Sequence, residues 1–267
     1  MGLNAALVSL MTLDPTTQVF GRMLIAAIVI AAVLSYQQKT LRVAKQHLLS
    51  LVISGLLLMV HWVTFFIAIR VSNIPTATVV VATIPMFSAL LEPIIHRKLP
   101  DGVDMLLGGI VVFGAAILIE DFSLESAAWL GVLLGLISAL CKSLRDIMSR
   151  SLVKEYGSQL VTMYQLAVGT ILIAPWFEPS TQPWDVHNIL LLLFMGVFGT
   201  YVAHTLAISG LNIIKAVTGN LIGALTPLYQ ITFGILLLND VPTMRVLIGG
   251  TIIISIATLE TLRTDVT

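Results

Sequence analysis

The chain has 267 residues, of which 57% are hydrophobic and 10% charged, with 14 basic against 14 acidic side chains. A mean hydropathy of +1.00 is far more apolar surface than a soluble core of this length needs, so the sequence is that of a polytopic membrane protein. Zero net charge argues against a nucleic-acid partner, and the single cysteine, Cys141, lacks metal-ligand companions and reads as a small packing residue.

The first stretch, Met1 to Met11, is apolar without a basic n-region or a cleavage site, so no signal peptide is expected. At 1.5 Å per residue it covers roughly 17 Å of a hydrocarbon core about 30 Å thick, half a helix. Complete spans follow at about 18–36, 48–69, 74–96, 104–120, 127–149, 158–177, 188–209, 213–238 and 244–262. Short connections hold most of the charged residues, and none is long enough to separate a soluble domain. Trp129, Trp176 and Trp184 fall near one predicted boundary and read as an aromatic belt.

The same paragraph occurs twice. Pro85-Met86-Phe87, Pro100 and Gly108-Gly109 recur as Pro227-Leu228-Tyr229, Pro242 and Gly249-Gly250, with the prolines fifteen residues apart in both copies. Residues 1–120 are expected to form the first repeat and 126–262 the second. If the loop at 36–47 is cytoplasmic, eleven Lys and Arg lie on that side against Arg22, Arg70 and Arg245 on the other. That bias puts the C-terminus in the cytoplasm. It also puts the loop after 74–96 and its counterpart, Leu238 to Pro242, on opposite faces, so the copies are inverted. Inverted copies need an odd helix count each. The expected fold is therefore an all-α, ten-helix, 5+5 inverted repeat with a truncated first helix, about nine full transmembrane helices. Such repeats place a substrate site at their interface.

Candidate site residues follow from that reasoning. Thr78, Ala82, Pro85, Ala89, Glu92 and His96 share one helical face, and Gly219, Gly223, Thr226 and Gln230 repeat the idea beside Pro227. A proline at matching midspan positions suits an unwound turn with free carbonyls, although small residues on one face also suit plain helix packing. Lys142 lies about 12 Å inward of Arg150, and Glu92 about 8 Å inward of Arg97 on the same side. A charge at the bilayer centre costs roughly 2.5–3.5 kcal/mol on insertion scales, so each needs a partner or water. Glu92 is expected to pair with Lys142 or Arg145 in a cytoplasmic gate; the bland alternative is snorkelling to the headgroups. His61 and His204 occupy nearly equivalent places, with Trp62 and Tyr201 beside them. They suit substrate binding or proton coupling, or simply a bond to a neighbouring hydroxyl or carbonyl. Trp62, deep in a span, is a candidate to stack on substrate. Arg22, opening its span, is a candidate for a carboxylate or an interface anchor.

Several phrases resemble the drug/metabolite transporter superfamily in its EamA-domain branch: Leu13-Asp14-Pro15 with Arg22, Gly55 followed by His61-Trp62, Ile84-Pro85 with Leu91-Glu92-Pro93, Gly199-Thr200, His204-Thr205-Leu206 and Thr226-Pro227. The resemblance implies a ten-helix inverted-repeat carrier in the plasma membrane, often an exporter of amino acids or other small metabolites. Two places depart from it: Arg97-Lys98 stands where relatives carry an acid, and Thr226 where many carry Glu. The expected partners are a small solute and the bilayer, with room for protons as coupling ion and for a homodimer. No cofactor is expected. A nucleotide-sugar antiporter would need converging cations, of which only Lys142, Arg145 and Lys215 are available. An intramembrane enzyme lacks any His-Glu-x-x-His or Gly-x-Ser-x-Gly motif here. An inactive truncated remnant is the third alternative.

Overall fold

The computed structural model describes residues 2–119, 127–203 and 226–264, and among these there is no strand. Helix α1 (Asn4–Leu10) is short, and its Ala5, Ala6 and Val8 are wholly buried. Helix α2 runs Pro15–Tyr36, earlier than hydropathy alone suggests, because Asp14 caps it: the carboxylate accepts from Thr16 N at 2.9 Å and Thr17 N at 3.0 Å, with proline at the first position. Helix α3 is Leu48–Val71. Asn73 starts α4 (Ile74–Val81) by accepting from Thr76 N at 2.7 Å.

The span expected at 74–96 is two helices, α4 and α5 (Ile84–Ile95). Pro85 has no N–H for Val81 O, and Met86 N bonds Thr83 O at 3.0 Å rather than Ala82 O. The carbonyls of Val81 and Ala82 thereby lose their helical donors, and the chain turns at Ala82-Thr83. Helix α5 ends where Arg97 adopts φ 57° and Lys98 N bonds Pro93 O at 2.8 Å. Asn239, with φ 55°, ends its counterpart in the second copy in the same manner, with Asp240 N on Gly234 O at 3.1 Å.

Helix α6 (Gly102–Ile117) is followed by α7 (Ala127–Tyr156), whose 30 residues extend well past the expected end at 149. Next come α8 (Ser158–Ile173) and α9 (Val186–Phe194), the latter continuing as a π-helix over Met195–Val202. Helices α10 (Thr226–Leu238) and α11 (Met244–Thr264) complete the described residues. Among the described residues five segments are long and apolar enough to cross a bilayer, namely Pro15–Tyr36, Lys45–Val71, Ile74–Ile95, Ser158–Trp176 and Met244–Arg263; Gly102–Ile117, Val186–Val202 and Thr226–Leu238 are shorter apolar helices.

Packing interleaves the two halves of the chain. Helix α3 lies along α7, α2 and α3 pack on α8, and α6 packs on α11. The main apolar core, with Met23, Phe66, Leu166 and Met195 fully buried, joins α1 to α3 with α8 and the π-helix; a second cluster around Val79, Ala115, Val132 and Ile253 joins α4, α6, α7 and α11. Glycine permits the closest crossing. A Cβ on Gly249 would lie 2.6 Å from Gly114 O and 2.2 Å from Leu118 Cδ1.

Loops at both rims are bonded to the other half. At one rim Tyr156 Oη meets His47 Nδ1 at 2.8 Å, and Tyr164 Oη donates to Leu41 O at 2.7 Å. At the opposite rim Thr12 N donates to Asn188 Oδ1 at 3.0 Å, and Asp14 N to Gln182 Oε1 at 3.0 Å.

Candidate functional site

A cavity of about 860 Å³ lies between the helices, lined from both halves of the chain. Arg22, His61, Trp62, Pro85, Glu92, Lys142, Thr226, Pro227 and Gln230, all singled out by sequence, line it. Tyr201 does not: its ring packs against the apolar core instead. His204, with Lys215, Gly219 and Gly223, lies outside the described residues.

His61 and Trp62 form the middle of the wall, and both are buried. His61 Nδ1 lies 2.7 Å from Ser138 Oγ and 3.0 Å from Ser138 O, and Ser138 Oγ donates to His61 O at 2.9 Å. A carbonyl only accepts, so these partners assign the proton to Nδ1 and leave Nε2 an acceptor. The serine thus locks the ring of α3 onto α7.

Arg22 is not the interface anchor considered from sequence. Because α2 starts at Pro15, Arg22 is seven residues further on, about 10 Å into the helix, and only 4% exposed. Its guanidinium stacks over Trp62 at 4.2 Å from the ring centroid. Nε donates to Thr200 Oγ1 at 2.7 Å and Nη2 to Gly199 O at 3.4 Å. One face of Trp62 is therefore occupied by Arg22.

The other end of the cavity is charged and internally paired. Glu92 does not meet Lys142 or Arg145; its carboxylate pairs with Arg150. The reason is local, since Asp146, one turn beyond Lys142 on α7, takes both cations: Lys142 Nζ at 2.5 Å and Arg145 Nη1 at 3.0 Å. Arg145 Nε also bonds Gln165 Oε1 at 2.9 Å, and Gln165 Nε2 continues to Ser149 at 2.8 Å and Ser54 at 3.0 Å. Glu260 of α11, 2% exposed, reaches Arg263 at 3.5 Å, and Arg263 also pairs with Asp104.

Asp146 and Glu260 are lining residues that sequence reasoning missed. Only Asp146 carried a readable signal, its i,i+4 spacing from Lys142. The broken turn supplies a further polar element: Thr78, Val81 and Ala82 line the cavity beside Pro85, and Thr78 Oγ1 is buried with no hydrogen-bond partner among the described residues. A smaller cavity of about 290 Å³ between α5, α6 and α7 is almost wholly apolar, with Thr83 and Trp129 among its lining residues. Among the described residues no group of three or more His, Cys, Asp and Glu side chains is placed to hold a metal ion.

The chain as a whole is similar to known proteins. The chain is 24% identical over 247 residues to the uncharacterized transporter YoaV of Bacillus subtilis (strain 168), covering 87% of this chain and 82% of the relative. It is 24% identical over 255 residues to an uncharacterized transporter of Clostridium kluyveri, covering 91% and 82%, and 23% identical over 258 residues to one of Archaeoglobus fulgidus, covering 93% and 88%. A solved crystal structure matches the fold at a TM-score of 0.66 with 17% identity, over 98% of this chain and 92% of that one. The profile of the EamA-like transporter family matches twice, over residues 1–120 and 129–260. With both halves of a helical, multi-pass chain accounted for in this way, the protein belongs to the EamA-like transporter family and is a membrane transporter of the drug/metabolite type.

Proposed function

We propose that the protein is a secondary carrier, working as an exporter, for small organic metabolites such as amino acids. Alternating access would be built from two inverted copies, residues 1–120 and 126–262, in the plasma membrane with the C-terminus inside. The observation that carries this reading is the cavity itself, which draws its walls from α2 to α5 of the first half and α7, α8, the π-helix, α10 and α11 of the second. Its volume suits a metabolite-sized solute. Its walls mix an aromatic and aliphatic middle with polar groups at fixed places, the composition of a site that orients a small ligand. Arg22, His61, Glu92, Lys142, Thr226 and Gln230 are the polar lining residues proposed to contact it, with Trp62, Pro85 and Pro227 shaping the wall. Phosphate-rich solutes are less well matched, because Lys142, Arg145 and Arg150 each already face a carboxylate.

Counterflow of labelled amino acids and other small metabolites in proteoliposomes tests the proposal. Saturable exchange of a solute from the outside against the same solute inside is the expected result. Acceleration by an imposed pH gradient would assign protons as the coupling ion. Equal leakage in empty and protein-containing vesicles for the whole panel would sink the carrier reading.

A further inference from the structure

We infer that Arg22 is the anchoring group for an oxyanion, a carboxylate or a phosphate, carried by the transported solute; the inference rests on the carrier reading above and deepens it. A guanidinium remains charged in any protein environment, and an ion buried in a span without a partner is strongly disfavoured. Arg22 is 4% exposed, yet among the described residues no carboxylate lies within ion-pair distance of it. In the same cavity Lys142, Arg145 and Arg150 each have one. Arg22 is thus the lining cation whose charge the described chain does not balance.

Its surroundings hold it in one pose rather than neutralise it. Thr200 Oγ1 gives its proton to Met195 O at 3.0 Å, so toward Arg22 it can only accept, which fixes Nε at 2.7 Å. Trp62 covers one face of the plane at 4.2 Å. Gly199 O takes one hydrogen of Nη2 at 3.4 Å. Five N–H groups less these two leaves three, on Nη1 and Nη2, with no acceptor among the described residues. Adjacent N–H groups on a planar fork match the two oxygens of a carboxylate or phosphate. The two orienting contacts fall on the π-wound turn of Met195–Val202, an irregularity that positions groups at functional sites.

The test uses the full chain, purified in detergent with 15N-labelled arginine, and follows the Arg22 Nε resonance. Arg22→Lys identifies that resonance by removing it; if that variant fails to fold, Thr200→Val identifies it by moving it. Sodium acetate and sodium phosphate are titrated separately against sodium chloride at matched ionic strength. A saturable shift with acetate assigns a carboxylated solute, and a saturable shift with phosphate alone assigns a phosphorylated one. No shift beyond that of chloride with either overturns the inference. In proteoliposomes, Arg22→Gln should lower exchange of an acidic-group solute roughly tenfold or more, as expected for losing a charged hydrogen-bonded contact. An acetate or phosphate response without exchange of any solute would retain the anion subsite and remove the carrier reading. Exchange with a silent Arg22 would do the reverse.

Discussion

Replacing Gly249 with alanine should loosen the contact that holds α11 against α6. The added Cβ would sit 2.6 Å from Gly114 O and 2.2 Å from Leu118 Cδ1. The leucine can rotate away, but the carbonyl belongs to a helix. Relief therefore requires the two helices to part by about 0.8 Å, the difference between 2.6 Å and the 3.4 Å at which ordinary contact begins. Overpacking of this kind costs about 1–3 kcal/mol, offset in part by up to about 1 kcal/mol from alanine's better helix propensity. At about 2–4 °C per kcal/mol for a chain of this size, that net of about 0–3 kcal/mol is a fall of up to roughly 12 °C in Tm, centred on about 5 °C. Two controls share the chemistry. Gly114→Ala meets side-chain carbons at 3.1 Å and should lose less, while Gly109→Ala has nothing within 4 Å and should leave Tm unchanged or slightly raised. Thermal unfolding of the three variants in one detergent, followed by tryptophan fluorescence, is sufficient. If Gly249→Ala melted with the wild type, or Gly109→Ala fell as far, the close α6–α11 crossing would be refuted.

Exchanging the charges of Glu92 and Arg150 should leave stability within about 1 kcal/mol, because both side chains are partly exposed, and a double-mutant cycle should show coupling of about 0.2–1 kcal/mol. Loss of transport in each single charge-neutralised variant, recovered in Glu92→Arg with Arg150→Glu, would mark the pair as a gate; recovery of nothing would deny it that role. Ser138→Ala should cost about 0.5–1.5 kcal/mol of stability by removing the hydroxyl that bridges His61 Nδ1 and His61 O, and unchanged unfolding would contradict the lock between α3 and α7. For Asp14, burial pushes the carboxyl up, but hydrogen bonds from Thr16 and Thr17 outweigh it and hold the group below its ordinary 3.8. Its contribution is therefore complete above about pH 3.8 and lost as pH falls through the lower folded value. Asp14→Ala should cost about 0.5–2 kcal/mol near neutral pH, with the difference from wild type closing below pH 3.8 in pH-dependent melts.

Most helices among the described residues were legible because hydropathy tracks transfer into lipid, and the break at Ala82-Thr83 was legible as Pro85 within a stripe of small residues. Ion-pair partners were not. Helical periodicity says which face Glu92 and Lys142 share with their neighbours, but not how far α5 is shifted along α7, and that shift hands Glu92 to Arg150. Arg22 was misplaced in depth for a simpler reason. Hydropathy began the span at about residue 18, after the polar Thr16 and Thr17, whereas the Asp14-Pro15 cap had already started the helix. Its contact with Trp62 and Thr200 joins residues far apart in sequence, and no local pattern announces it.

The bonds at the two rims bear on how such a molecule can be built to move. Tyr156 and Tyr164 hold the 41–47 segment of the first half, and Asn188 and Gln182 hold Thr12 and Asp14 at the opposite end. Prising the halves apart along the line where the sequence repeats would tear these links at both ends together, along with the α2–α8 and α3–α7 seams. The ancestral joint between the copies is thus the stitched part of the molecule. If the carrier cycle proposed above operates, each moving block would be assembled from both copies, and a cross-link across the α2–α8 or α3–α7 seam would leave that cycle running.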